Sequence, residues 1–389
     1  MSGPARRTRS FGTSIFTEIT ALAAAHDAVN LGQGFPDFAA PAFIKEAAMR
    51  AIREDHNQYA AAPGRPRLRA ALAARWERLH GVAVDADTEI TVASGATELL
   101  HDALLAVVEP GDEVIVFEPT YDAYVPDIIM ASGIARPLAL RPPDWRWDPD
   151  ELRATFGPRT RAVILNTPHN PTGKVFARDE LEQLAALCNE HDTLVITDEV
   201  YSEITFDGAA HVPIATLPGM RDRTITIDSM GKTFSVTGWK VGWSIAPERL
   251  TRAIRSVHQF VTFTGSVPFQ EALAEGLALA ETNGYYAEVR AAYAARRDRL
   301  TAVLRAAGLA PMPTQGAYFI LTDTTAFGFL DDVTFCRHLC TEIGVAAIPT
   351  SVFYADPKTA PPLARFCFAK RDETIDAAAS RLRKLRPLH

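Results

Sequence analysis

Ala162-Val163-Ile164-Leu165-Asn166-Thr167-Pro168-His169-Asn170-Pro171-Thr172-Gly173 and Leu194-Val195-Ile196-Thr197-Asp198-Glu199-Val200-Tyr201 share one grammar, a short β-branched run followed at once by polar and turn-forming residues. Runs without apolar/polar alternation read as strands covered on both faces, the mark of a parallel sheet. Working outward, residues 90–93, 113–117 and 224–227 repeat the pattern, and 136–140 and 241–246 are weaker versions of it. Residues 98–108, 121–132 and 178–191 between them carry helical periodicity, and Glu109-Pro110-Gly111-Asp112 separates helix from strand. Strand and helix alternating from about residue 90 to 246 predict an α/β unit with a mainly parallel sheet.

The texture changes near residue 284. An Ala/Arg-rich amphipathic stretch runs to Leu309, followed by strand candidates at 318–322, 345–348 and 365–369, a helix near 331–343 and a final helix. That is a smaller α+β unit. The first 45 residues hold the turn Gly32-Gln33-Gly34-Phe35-Pro36-Asp37 but no strong sheet pattern, so they are expected to pack beside the C-terminal unit. The expected division is 1–45 as an N-terminal arm and part of the small domain, 46–283 as the large domain, and 284–389 as the C-terminal small domain, in keeping with single cores that stop growing near about 250–300 residues.

Composition narrows the function classes. With 47% hydrophobic and 22% charged positions among 389 residues, the chain is not intrinsically disordered. Forty Lys+Arg against 47 Asp+Glu give a net charge of -7, which offers nothing global to nucleic acid or anionic membrane. Four scattered cysteines do not make a disulfide framework, so a reduced, cytoplasmic protein is expected. Cys336, His338 and Cys340 lack a second ligand cluster, and no metal is expected. Thr17, Glu18 and Thr20 interrupt the apolar stretch after the basic start, so no secretory signal is expected, and no run approaches the roughly 18 apolar residues of a membrane span.

Three short motifs fail on their spacing. Gly231-Lys232-Thr233 resembles the end of a phosphate-binding Walker loop, but Thr226 stands where a glycine is required. Gly32-x-Gly34 meets Asp37 at the third glycine position of a dinucleotide fingerprint. Ser229-x-x-Lys232 lacks the companion boxes of the acyl-serine enzymes.

The polar residues just past the strand ends explain the same lysine better, because open α/β sheets bind ligands there. Ser94-Gly95-Ala96-Thr97 opens a helix and offers free amides to a phosphate. Tyr121 supplies a ring, Asn170 sits on a turn shaped by Pro168 and Pro171, Asp198 and Tyr201 follow another strand, and Ser229 and Lys232 a fifth. A phosphate cradle, a stacking ring, an acid, amide and phenol donors and a lysine are the parts that pyridoxal 5'-phosphate requires of a protein. Lys232 would bond the aldehyde and serve as general base, Asp198 would keep the pyridine nitrogen protonated, and Asn170 and Tyr201 would hold the ring oxygen. An Asp at a buried strand end is costly without a cation, and the pyridinium provides one. His169 and His258 read as structural.

Together these motifs resemble the class I/II aminotransferases of fold type I, and the resemblance runs nearly end to end. Asn30-Leu31-Gly32-Gln33-Gly34-Phe35-Pro36-Asp37-Phe38, Asn57-Gln58-Tyr59, the 166–173 turn and residues 231–243 are most similar to the branch of methionine, glutamine/kynurenine and N-succinyldiaminopimelate aminotransferases. The resemblance implies a seven-stranded, mainly parallel sheet in the large domain, with Lys232 as the Schiff-base lysine. It implies that Gly95, Ala96, Ser229 and Lys240 hold the phosphate, with Tyr59 reaching it from a neighbouring subunit, and that Tyr121 stacks on the ring. Arg365 would grip the substrate carboxylate, assisted by Asn170 and the Gly34 backbone. Phe16 and Phe263 would line the side-chain pocket, Phe263 across a homodimer interface. Lys240 stands where many family members carry Arg, a point charge in place of a planar fork.

The implied reaction moves the amino group of an L-amino acid of methionine, glutamine, kynurenine or aromatic type to a 2-oxo acid by ping-pong kinetics. Cysteine-S-conjugate β-elimination and N-succinyldiaminopimelate transamination are alternatives. A non-catalytic cofactor-binding sensor is a remote one, since the chain has no separate basic DNA-binding segment.

Overall fold

A computed structural model describes residues 3, 5–9 and 11–387. The chain opens with α1 (Ile15–Ala25), β1 (Val29–Asn30), α2 (Ala42–Arg53) and α3 (Pro66–His80). The central stretch then runs β2 (Ile90–Ala93), α4 (Ala96–Val107), β3 (Glu113–Glu118), α5 (Tyr124–Met130), β4 (Ile134–Ala139), α6 (Pro149–Thr155), β5 (Thr160–Asn166), α7 (Arg178–Glu190), β6 (Leu194–Asp198), β7 (Thr224–Ser229), α8 (Met230–Thr233) and β8 (Gly242–Ile245).

These strands form one seven-stranded sheet in the order β2-β8-β7-β6-β5-β3-β4. β4, β3, β5, β6 and β7 run parallel to one another, and β8 is antiparallel to both of its neighbours, β7 and β2. The sheet is therefore mainly parallel, as its unbroken apolar runs predict. Successive side chains on a strand point to opposite faces, and here both faces are covered. Val114, Val116, Ile164 and Ile196 pack against Leu99, Ala103 and Leu104 of α4, while Ile115, Phe117, Val163 and Val195 pack against Leu181, Leu184 and Cys188 of α7. Each such buried aliphatic contributes roughly 1.5–3 kcal/mol relative to exposure, so the sheet is a rigid platform for whatever its carboxyl ends carry.

The chain continues through α9 (Glu248–Val261), α10 (Val267–Ala280) and the 22-residue α11 (Tyr285–Ala306). It then forms β9 (Ala310–Pro311), β10 (Phe319–Asp323), α12 (Asp332–His338), β11 (Val345–Ala346), β12 (Ile348–Pro349), β13 (Leu363–Cys367) and α13 (Asp372–Leu382). β12, β13, β10 and β9 make a four-stranded sheet, and β1 pairs in parallel with β11. The N-terminal arm thus joins the C-terminal unit, with Ile19 and Ala23 of α1 packed on Cys340, Ala346, Ile348 and Phe353. Residue 45, the expected end of the arm, falls inside α2, whose Ile44, Ala47 and Ala48 pack against Ala272 and Leu273 of α10. All of α2 sits with the large unit, because its apolar stripe has no other partner. The stretch 121–132 forms a helix only from Tyr124, leaving Tyr121 in the preceding turn. Cys336 and Cys340 are free and buried in the small unit. Among the described residues no helix is long and apolar enough to cross a membrane.

Candidate active site

The carboxyl ends of β5, β6 and β7 open into a cavity of about 290 Å³ between the large and small units. Lys232, Asp198, Asn170, Tyr201, Tyr121, Ser229, Gly95, Ala96 and Lys240 line it from the large unit. Phe16, Gly34 and Arg365 close it from the arm and the small unit. Residues up to 349 positions apart in the chain (365 − 16) meet there because strands β5, β6 and β7 end side by side and β13 faces them. Tyr59 and Phe263 do not reach the cavity of their own chain. They pack edge to face on each other with ring centroids 5.6 Å apart, and Tyr59 is 83% exposed.

Lys232 follows β7 on the one-turn helix α8, its ammonium 5.8 Å from the centroid of the Tyr201 ring and 5.7 Å from that of Tyr318. Burial pushes it down from an ordinary 10.5 to about 8, against the opposing pull of Asp198. Burial also pushes the Asp198 carboxyl up, while hydrogen bonds from the Tyr124 hydroxyl (2.7 Å) and the Val200 amide (3.3 Å), and the charge of Lys232, pull it back. The Tyr201 phenol is raised far above its ordinary range by burial, so it stays protonated and available as a donor.

At the other end of the cavity, β2 turns into α4 through Gly95, whose φ of 88° belongs to the left-handed half of backbone space. Gly242 of β8 crosses so closely that a Cβ there would lie 2.5 Å from the Gly95 carbonyl carbon. The packing leaves the first amides of α4 without intrahelical partners at the cavity wall, beside the positive end of the helix. Lys240 reaches the same place, its Nζ 3.5 Å from Thr97 Oγ1.

Arg365 lies on β13 and is 1% exposed. Its Nη1 donates to Asn170 Oδ1 at 2.8 Å and its Nη2 to the Gly32 carbonyl at 3.0 Å, while Nε has no partner among the described residues. The guanidinium lies over the Phe319 ring at 4.1 Å and the Phe16 ring at 5.0 Å. Among the described residues no carboxylate lies within 4.0 Å of Arg365, Lys232 or Lys240. Three cations without ion-pair partners share one cavity with one buried carboxylate, an arrangement that is costly unless anions and a cationic ring occupy it.

Residues 26–382 match the family described as aminotransferase class I and II. The chain belongs to that family. It is 45% identical over 382 residues to the methionine aminotransferase of Escherichia coli, covering 98% of each chain. A solved structure reporting that methionine aminotransferase function superposes with a TM-score of 0.95 over 99% of this chain and 100% of the other. The N-succinyldiaminopimelate aminotransferase structure from Mycobacterium tuberculosis superposes with a TM-score of 0.94 at 43% identity, covering 99% and 100%. A kynurenine–oxoglutarate transaminase of Dictyostelium discoideum is 42% identical over 419 residues, covering 98% of this chain and 96% of its own.

This aminotransferase is therefore a fold type I enzyme that depends on pyridoxal 5'-phosphate. The cavity fits that cofactor: unpaired cations and free amides suit a phosphate, and the buried Asp198 suits a pyridinium. Several lining residues escape sequence reasoning. Tyr124, which donates to Asp198, is signalled only by its place three residues after Tyr121. Asn166 donates to the Asp198 carbonyl (2.8 Å) and accepts from the Asn170 amide (2.7 Å), fixing both neighbours. Gln33, Thr237 and Phe319 had no signal of their own, since nothing local to them marks the cavity.

Proposed function

We propose that the cavity carries out transamination of L-amino acids with uncharged, apolar or aromatic side chains, of the methionine, glutamine, kynurenine or phenylalanine type. The observation that carries this reading is the cavity wall around Arg365. It presents Phe16, Gln33, Tyr121 and Phe319, and the two other cations of the cavity, Lys232 and Lys240, go to the cofactor's aldehyde and phosphate, so among the described lining residues none is left to receive an acidic side chain. The relatives named for methionine and kynurenine point the same way.

When bound, pyridoxal 5'-phosphate supplies an aldehyde carbon for amines and a ring that takes up the electron pair left by the departing α-proton. Lys232 would hold that aldehyde, and as a free amine it would move the proton, for which a value of about 8 is well matched to neutral working pH. Asp198 would hold the pyridine nitrogen protonated, its carboxylate fixed by the Tyr124 hydroxyl. Asn170 and Tyr201 would hold the ring oxygen, and Tyr121 would stack on the ring. The Gly95 and Ala96 amides, Ser229 and Lys240 would hold the phosphate. Arg365 binds the substrate carboxylate with Asn170 and the Gly34 backbone, and its place between aromatic rings keeps water away from the ion pair.

The working unit is a homodimer in the cytoplasm. The exposed Tyr59 (83%) and Phe263 (44%) rings, packed on each other, form an aromatic surface that a second copy would cover, with Tyr59 of the partner subunit on the phosphate and Phe263 of the partner subunit at the side-chain pocket. The free, buried cysteines suit a reducing compartment.

The test is the visible spectrum of the cofactor-loaded protein against a panel of donors. L-Methionine, L-glutamine, L-kynurenine or L-phenylalanine should bleach the yellow band, a 2-oxo acid should restore it, and L-aspartate should act far more slowly. Preference for aspartate, or for N-succinyldiaminopimelate alone, would overturn the substrate class. Pyruvate release from cysteine conjugates in place of band recovery would favour β-elimination.

A further inference from the structure

Glu98, His258 and Asp102 form a buried cluster behind the N-terminus of α4 that has no place in the chemistry above. The Glu98 side chain is 7% exposed and those of His258 and Asp102 are fully buried. Glu98 Oε2 accepts the Ser94 amide at 2.5 Å. Its Oε1 accepts from His258 Nδ1 at 2.8 Å and from Thr262 Oγ1 at 2.5 Å. Burial pushes the Glu98 carboxyl up, yet those three donors outweigh it and the net value is lowered, so Glu98 is the ionised acceptor and His258 Nδ1 the donor.

The position of Glu98 makes this arrangement consequential. It is the third residue of α4, where a carboxylate ordinarily folds back onto the amide of the residue that caps the helix, here Gly95. The next amide, at Ala96, is one a phosphate needs, and a carboxylate turned back beside it would repel the anion. His258 and Thr262, both from α9 and its C-terminal turn, hold Glu98 on the Ser94 amide, one residue before the cradle. The carboxylate then fixes the loop from outside while the inner amides stay open. Thr262 also leads directly into Phe263, whose amide donates to the His258 carbonyl at 3.0 Å, so one cluster anchors the cradle and the aromatic surface turn together.

From this geometry we infer that His258 is a positioning residue for the cofactor phosphate, acting through Glu98 to keep the amide cradle of residues 95–97 open and free of competing negative charge. The inference rests on the reading of that loop as the phosphate site.

The test compares pyridoxal 5'-phosphate with pyridoxal, which lacks the phosphate, binding to the cofactor-free full-length protein. His258→Leu removes the donor, and His258→Asn replaces it with an amide N–H near the position of Nδ1. In His258→Leu, affinity for pyridoxal 5'-phosphate should fall roughly 10- to 100-fold while affinity for pyridoxal holds within about threefold. His258→Asn should recover most of the loss. Should His258→Leu not fold, Thr262→Val removes the second donor to the same oxygen and should shift the ratio in the same direction. Equal losses for both ligands, or none for either, would overturn the inference. Wild-type protein that binds the two ligands equally would overturn the cradle reading itself, and the inference with it.

Discussion

Arg365 Nη1 donates to Asn170 Oδ1 at 2.8 Å, joining the small unit to the turn after β5 across the mouth of the cavity. The bond aims a buried guanidinium without fixing its charge, because an amide oxygen is not a counter-ion. The remaining positive charge is what a substrate carboxylate would meet. Arg365→Lys keeps the charge and loses the planar fork, so kcat/KM for the amino donor should drop by about a hundredfold or more, chiefly through KM. Steady-state kinetics with L-methionine would check this, and an unchanged KM would remove Arg365 from the substrate site.

Asp198 and Tyr124 offer a graded comparison. Asp198→Asn leaves a hydrogen-bonding group facing the ring nitrogen but removes its charge, which should lower kcat by roughly 10²- to 10³-fold. Tyr124→Phe removes only one hydrogen bond to that carboxylate, so a loss of about 10-fold is expected. Single-turnover rates of the amino-donor half-reaction separate the two, and equal effects would contradict the assignment of charge to Asp198.

The Lys232 value of about 8 sets a pH profile. Below it the amine carries a proton and cannot attack an aldehyde, so cofactor uptake by the apo-protein should quicken about tenfold per pH unit up to about 8 and then level off. Stopped-flow absorbance would follow it. A profile still rising steeply at pH 10 would mean that Lys232 keeps an ordinary lysine pKa.

Asp102 carries a stability consequence of opposite chemistry. Burial, and then the Glu98 charge, push its carboxyl up to about 7, with His258 and His101 pulling the other way. The folded protein therefore holds a proton that the unfolded chain releases near its ordinary 3.8, and stability is lost as pH rises from about 4 to about 7. Asp102→Asn removes that loss. Its melting temperature relative to wild type should climb across this window by about 2–5 °C, as read by calorimetry, whereas a constant difference would contradict the shift.

The legibility of this chain in its sequence follows physical lines. β5 and β6 were plain because strands buried on both faces must be apolar throughout, and Asn170, Asp198 and Lys232 were plain because each stands at the end of such a run. The antiparallel β8 was weaker, since Gly242 buries little and is there to let the Gly95 turn approach. The expected bound at residue 45 falls inside α2 because the periodicity of a helix marks its buried face and not the element that covers it. Tyr124 is marked only by its spacing from Tyr121, and His258 carries no local mark of a site residue. Their meaning lies in Asp198 and Glu98, at 74 and 160 residues' distance, and only the packing of α5 and α9 brings the pairs together.

The central claim is that Lys232 holds the cofactor, and borohydride reduction of the cofactor-loaded protein followed by peptide mass spectrometry tests it most directly. The phosphopyridoxyl mass should appear on the peptide carrying Lys232 and be absent from Lys232→Ala protein that still folds. The same mass on Lys174, Lys240 or another lysine, or undiminished transamination by Lys232→Ala, would contradict it.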